Sequence, residues 1–243
     1  MKKLLFILFL SPLISNGQAV ITEIISGGNF NTGGIANSGW TKLAGSLYIV
    51  FVGISNDAGT PGTVALTGTG ETWTELGSAG GALNTTVQVR VQAFRFYDAV
   101  GVGANTTTFT VTGTQTGMWF NTYRITNVLT SGSNGADAIV QVVTASDNAT
   151  IHPSITMAAL SARASVLTAW TNDLNPSSGA AESGWTITED GGYATPTVGG
   201  LVMKRENTSD NTPSWAEGGG LFSNWAGIAI ELKSRSRRNV IIN

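Results

Sequence analysis

"SLYIVFVGIS", residues 46–55, has no charged or amide side chain along its whole length. A strand with one wet face alternates apolar and polar residues, and this one does not. The β-branched and aromatic residues favour a strand. The turn-forming run "SNDAGTPG", 55–62, ends it after ten residues. The stretch therefore reads as a central strand covered on both faces, and the rest of the chain has to supply the cover.

Working outward, period-two patterns dominate. "TTVQVRVQAFRFYDAV", 85–100, alternates Val87, Val89 and Val91 against Gln88, Arg90 and Gln92. Its phase slips at Ala93–Phe94, which predicts a β-bulge there. Val89, Val91, Phe94 and Phe96 are then inward, with Arg90 and Arg95 facing solvent. "TTTFTVTG", 106–113, places Phe109 and Val111 on one face. "MWFNTYRITNV", 118–128, places Trp119, Tyr123 and Ile125 together. Further strands are expected at 138–144, 154–159, 164–171, 184–189 and 199–206. In "FSNWAGIAIELK", 222–233, Phe222, Ala226, Ile228, Ile230 and Leu232 share a face. The small Gly227 and Ala229 opposite predict close packing over the second face. Helical periodicity is almost absent, and "MAALSARASVLTAW", 157–170, suits a strand–turn–strand as well as a helix. Ten or more strands at about ten-residue spacing predict an all-β, antiparallel two-sheet β-sandwich forming a single domain over 19–233.

Composition agrees with short strands and many turns. The 243 residues include 31 Gly and only 12% charged residues, with 42% hydrophobic, which argues against disorder. Cys is absent, so neither disulfides nor thiol ligands are available. Residues 1–18 read as a signal peptide: Lys2 and Lys3, then the apolar run Leu4 to Ile14, then a small polar exit. That run is too short to span a bilayer, and no other stretch is longer. The expected location is secreted, periplasmic or cell-surface. The body, 19–232, carries seven basic against fifteen acidic residues, net −8, which argues against a nucleic-acid partner. The basic residues of "KSRSRR", 233–238, belong to a tail, 234–243, read as solvated chain.

One short device occurs three times: "SGWTKL", 38–43, "ETWTEL", 71–76, and "SGWTIT", 183–188. Each has Trp followed by Thr, with a Gly close before it. The structural reading is a ring laid over a strand end beside a turn, closing a hairpin. The functional reading is an aromatic platform for a sugar ring. Candidate ligand-binding groups are Trp73 with Glu71, Trp185 with Glu189, and Trp215 with Asn211. Trp119, Trp170 and Trp225 lie inside strands and read as core.

Catalytic constellations are scarce. The single His152 lacks a recognisable nucleophile context, and one His without Cys makes zinc a poor fit. Carboxylates flanking Trp73 and Trp185 (Glu71, Glu75, Glu182, Glu189, Asp190) could form the pair that glycoside hydrolysis requires. Calcium could sit in the oxygen-rich loops 55–59, 146–150 and 208–212, although no EF-hand spacing is present. Asn and Asp are also ordinary turn formers.

The order of motifs resembles a β-sandwich domain of unknown function found in secreted bacterial proteins and in phage tail or virion-associated proteins. The residues that carry the likeness are "GSLYIVFVGIS", 45–55, a Gly-Thr-Pro turn, Gly70 with Thr72, Trp73, Thr74 and Leu76, "RFYDAV", 95–100, "GWT", 184–186, "PSW", 213–215, and "NWAGIAIELK", 224–233. The resemblance implies a jelly-roll or concanavalin-like sandwich and no catalytic residues. The expected role is a secreted, non-catalytic binding or structural module for a glycan or surface polymer. A phage structural protein and a sandwich-fold glycoside hydrolase or lyase are the alternatives.

Overall fold

The computed structural model describes residues 18–28, 35–101, 103–148, 152–172, 180–194, 197–216 and 224–235. Nearly all of the expected signal peptide and tail, and Phe222, lie outside the described residues. Strands are numbered in chain order. One large sheet runs β1 (Val20–Gly28), β9 (Gly117–Thr126), β3 (Ser46–Ser55) and β7 (Val89–Asp98), with β5 (Thr74–Leu76) and β6 (Ala82–Asn84) both on the far side of β7. The other runs β10 (Ile139–Asp147), β16 (Trp225–Leu232), β11 (Ala164–Asn172), β14 (Thr197–Thr208) and β13 (Thr186–Ala194). Two small sheets complete the set: β2 (Ile35–Thr41), β8 (Ala104–Thr112) and β4 (Thr63–Gly68), and β12 (Ala180–Ala181) with β15 (Trp215–Ala216). The protein is all-β, and its ladders are antiparallel. A short 3-10 turn, Ser133–Ala138, is the one helical element among the described residues.

The two-sided cover expected for 46–55 is present. Leu47, Ile49 and Phe51 join a core shared with Leu167, Ala169, Val202, Ile228 and Ile230 of the other large sheet. Val50, Val52 and Ile54 point the opposite way, against Val64, Leu66 and Phe109 of the three-stranded sheet. The outer face of the second large sheet is covered in turn. Trp170, Leu201, Met203 and Ala229 pack there with Ile155, Met157, Trp185 and Trp215. The close packing expected over Gly227 is by Trp170, whose indole would overlap a Cβ placed on that glycine.

The predicted bulge at Ala93–Phe94 is absent. β7 pairs with β3 in unbroken register from Val89 opposite Ser55 to Asp98 opposite Ser46. Val89, Val91 and Ala93 face the shared core, while Phe94 and Phe96 face outward under the small sheet. All are buried because both faces are covered, so no phase slip is needed to bury two sets of apolar residues. Gln92 is buried as well, donating to Glu75 and accepting the Val64 N–H. The strand expected at 154–159 is also absent. That segment forms one bridge, Ser154 to Ser214, and a few backbone bonds to 211–215.

Side chains stitch the margins between the large sheets. On one side Asn84 Nδ2 donates to the Asp147 and Trp225 carbonyls and to Asn148 Oδ1. On the other, Glu206 accepts the Ile21 N–H at 2.9 Å and Lys204 donates to the Ile21 carbonyl. Both backbone groups of an edge residue are thereby satisfied without a further strand.

Candidate functional site

Each of the three Trp-Thr pieces lies where the chain leaves a small outer sheet for a large inner one. "SGWTKL" joins β2 to β3, "ETWTEL" joins β4 to β5, and "SGWTIT" joins β12 to β13. A glycine with positive φ precedes each ring: Gly39, Gly70 and Gly184 at 98°, 68° and 87°. A side chain there would be strained, so glycine makes the corner and the indole fills it. The hairpin expectation is therefore corrected. These are crossovers between layers, and the strands before and after them do not pair with each other.

Trp40 and Trp73 come together at one end of the β2–β8–β4 layer. Trp40 stands 4.9 Å from the Tyr48 ring, and Trp73 stands 5.6 Å from Phe96. Trp73 is half-buried, and its indole N–H donates to Glu71 Oε2, which also accepts from Thr107 Oγ1 at 3.1 Å. The expected pair Trp73 and Glu71 is thus in direct contact. Burial raises the Glu71 carboxyl, with its hydrogen bonds to Trp73 and Thr107 opposing and the charge of Asp98 adding. Beside this cluster lies a shallow open depression of about 470 Å³, bordered by Gly70, Thr72, Phe96, Asp98, Val100 and Asn134.

The other expected pairs separate. Trp185 is 6% exposed, and its N–H goes to Asp210 at 2.9 Å, not to Glu189. Glu189 lies on β13 at the margin facing β1. Burial raises its carboxyl, the Ser26 hydroxyl opposes, and the charges of Glu23 and Asp190 add. Trp215 is 1% exposed and packs in the core, while Asn211 donates to the Met157 carbonyl at 2.8 Å. Neither Trp185 nor Trp215 presents a ring face to solvent.

The oxygen-rich loops use their side chains internally. Asn56 bonds Thr60, Thr114 and the Ala58 N–H. Asn148 bonds Asn84 and Thr86, and 149–150 lie outside the described residues. Both oxygens of Asp210 accept, from Trp185 and Arg205 on one side and from Thr212 on the other. Among the described residues no three His, Cys, Asp or Glu side chains gather within reach of one ion.

The residues that complete the Glu71 cluster were invisible to sequence reasoning. Asp98, Asn105 and Thr107 lie on β7 and β8, and only the alternation of β8, with Asn105, Thr107 and Phe109 on one face, hints at their direction. The opposite face of that small sheet is exposed. It presents Thr106, Thr108, Thr110 and Thr112 of β8 beside Thr63, Ala65 and Thr67 of β4, with no charged residue. Compared with protein-family models and with curated proteins, the chain finds no match in either.

Proposed function

We propose that this chain is a secreted, non-catalytic β-sandwich module that holds a neutral polysaccharide or similar surface polymer on the outer face of its β2–β8–β4 sheet. The carrying observation is the threonine face. Residues two apart on a strand repeat at about 6.8 Å and neighbouring strands at about 4.8 Å, so the hydroxyls and methyls form a regular grid. An uncharged grid of this kind is complementary to a polymer that repeats hydroxyls and apolar ring faces. The signal-peptide reading of 1–18 and the motif resemblance to secreted bacterial and phage-associated sandwich domains support the location. The core shared between the two large sheets supports the sandwich. The single passage of the chain between those sheets favours two sequential halves over a jelly-roll wrapping. The mature protein should be retained by an insoluble neutral polysaccharide such as cellulose or chitin. Thr108→Lys and Thr110→Asp should lose that retention with unchanged thermal midpoints. Retention that survives both substitutions, or is never seen with any polymer tried, would remove the reading.

A hydrolytic role is favoured by one observation, the raised carboxyl of Glu189 near Glu23. Release of reducing ends from a bound polymer, abolished by Glu189→Gln, would establish it over the binding role.

A further inference from the structure

The turn Ser133–Ala138 lies where the chain passes from β9 in one large sheet to β10 in the other. Its second and third residues, Asn134 and Gly135, form the one Asn-Gly step of the sequence after the expected signal peptide. Both stand in the left-handed region, at φ 52° and 69°. Asn tolerates that region better than most side chains, and glycine adopts it freely. Gly135 is also buried. A Cβ placed on it would stand 3.1 Å from both Leu47 Cδ1 and Tyr97 Cβ, so even a methyl group would have to displace the core.

The Asn134 side chain is tied on every polar atom. Its amide nitrogen donates to the Thr72 carbonyl at 2.7 Å, to Thr74 Oγ1 at 2.9 Å and to the Arg95 carbonyl at 3.2 Å. Its amide oxygen accepts the Tyr97 N–H at 2.8 Å. Arg95 Nε in turn donates to the Asn134 backbone carbonyl at 3.2 Å. One amide thereby joins the turn to β7 and to the start of β5.

Asn-Gly is chemically the step at which a chain most readily modifies itself, because glycine puts no side chain in the way of ring closure. The Gly135 nitrogen attacks Asn134 Cγ. Its proton leaves with the side-chain NH2 group as ammonia, and a succinimide ring remains. Water then breaks one of the two ring C–N bonds, giving aspartate or isoaspartate. In the fold, ring closure requires the side chain to swing back over its own peptide bond and to give up its bonds to Thr72, Thr74, Arg95 and Tyr97. Neither product fits the place that Asn134 leaves. Aspartate keeps an acceptor for the Tyr97 N–H, but it turns lone pairs to the Thr72 and Arg95 carbonyls where the amide turned protons. The Arg95 guanidinium is close, yet its Nε already serves the backbone carbonyl. Isoaspartate lengthens the main chain by one carbon directly beside the crowded Gly135.

We propose that Asn134–Gly135 is a self-modification site: the native hydrogen bonds of the amide keep it intact, and a transient opening of the turn becomes a permanent loss of the fold.

Peptide mapping of the mature protein tests this, with aspartate and isoaspartate at position 134 counted over time. One sample is held at pH 8 in buffer, and a second in urea above the unfolding midpoint. Conversion should be on the order of a hundredfold slower in buffer, since it waits for local opening. Thr74→Ala removes one acceptor of the amide, and should speed conversion in buffer while leaving the rate in urea unchanged. Wild-type chains converted in urea and returned to buffer should lack the cooperative thermal transition that unconverted chains regain; this arm needs no variant to fold. Equal rates in buffer and urea, a buffer rate unmoved by Thr74→Ala, or converted chains that regain the wild-type midpoint each overturns the site.

Discussion

At the scale of single residues, the three Trp-Thr corners answer what a repeated short device is for. Trp40 and Trp73 fill one interlayer corner and Trp185 fills another, on the opposite large sheet. Their effects on stability should follow burial. Trp185→Ala removes a ring that is 6% exposed and one hydrogen bond to Asp210, and should cost about 4 kcal/mol. Trp73→Ala removes a half-buried ring and should cost about 2 kcal/mol. Denaturant midpoints for the two variants check the order; equal losses, or none, would show that the rings do not hold the layers. The repetition was legible in the sequence, and its purpose was not. Whether a turn closes a hairpin or joins two sheets depends on which strands its neighbours pair with, and those partners lie dozens of residues away. The same distance hid Thr107, which reaches Glu71 from β8. Trp119 shows the converse case. It was expected in the core and lies there, packed so closely over Gly53 and Gly200 that a Cβ on either would overlap its indole.

At the scale of elements, the long strands β3, β7, β8, β9, β11, β14 and β16 stand where the sequence placed them, whereas β1, β2, β4, β5 and β6 were not anticipated. β3 is buried along its whole length, as its unbroken apolar run required. β7 has the same two-sided burial but carries Arg90, Gln92 and Arg95, and its mixed pattern imitated a bulge. Arg90 stays half-buried because its guanidinium donates to the Pro61 and Gly80 carbonyls, a solution that alternation rules do not anticipate. β1 and β6 gave weak patterns, since their margins are completed by side-chain bonds at Ile21 and Asn84 between the two large sheets, and β2, β4 and β5 are short strands at sheet edges. One such margin makes a pH prediction. Burial raises Glu189 from its ordinary value of 4.5, with Glu23 and Asp190 adding to the shift and Ser26 opposing it. The folded protein therefore holds this proton more tightly than the unfolded chain does. Its stabilising contribution is full below about pH 4.5 and is lost as pH rises through the raised value. Glu189→Gln should raise the thermal midpoint at pH 8, and that advantage should vanish towards pH 4. A gap of the same size at both pH values would rule out the linkage.

At the scale of the whole molecule, each large sheet is built from one half of the chain, yet the main core belongs to both. Leu47, Ile49, Phe51 and Tyr123 from the first half meet Leu167, Val202, Ile228 and Ile230 from the second. Fragments 19–130 and 131–235, produced separately, should therefore expose these faces, bind a hydrophobic dye and lack cooperative unfolding, and mixing them should restore a transition. A fragment that unfolds cooperatively alone would show that its half completes its own core. The sequence alone was sufficient for the all-β class, the antiparallel strands, the doubly covered β3 and the core tryptophans 119, 170 and 225. Those follow from local period, turn chemistry and composition, which are written in neighbouring residues. Which sheet each strand joins, that small sheets cap the outer faces, and that Thr107 of β8 meets Glu71 beside Trp73 were decided only by the tertiary structure. Strand pairing is a contest among many similar apolar ladders, and it is settled by the total surface removed from water across the whole chain.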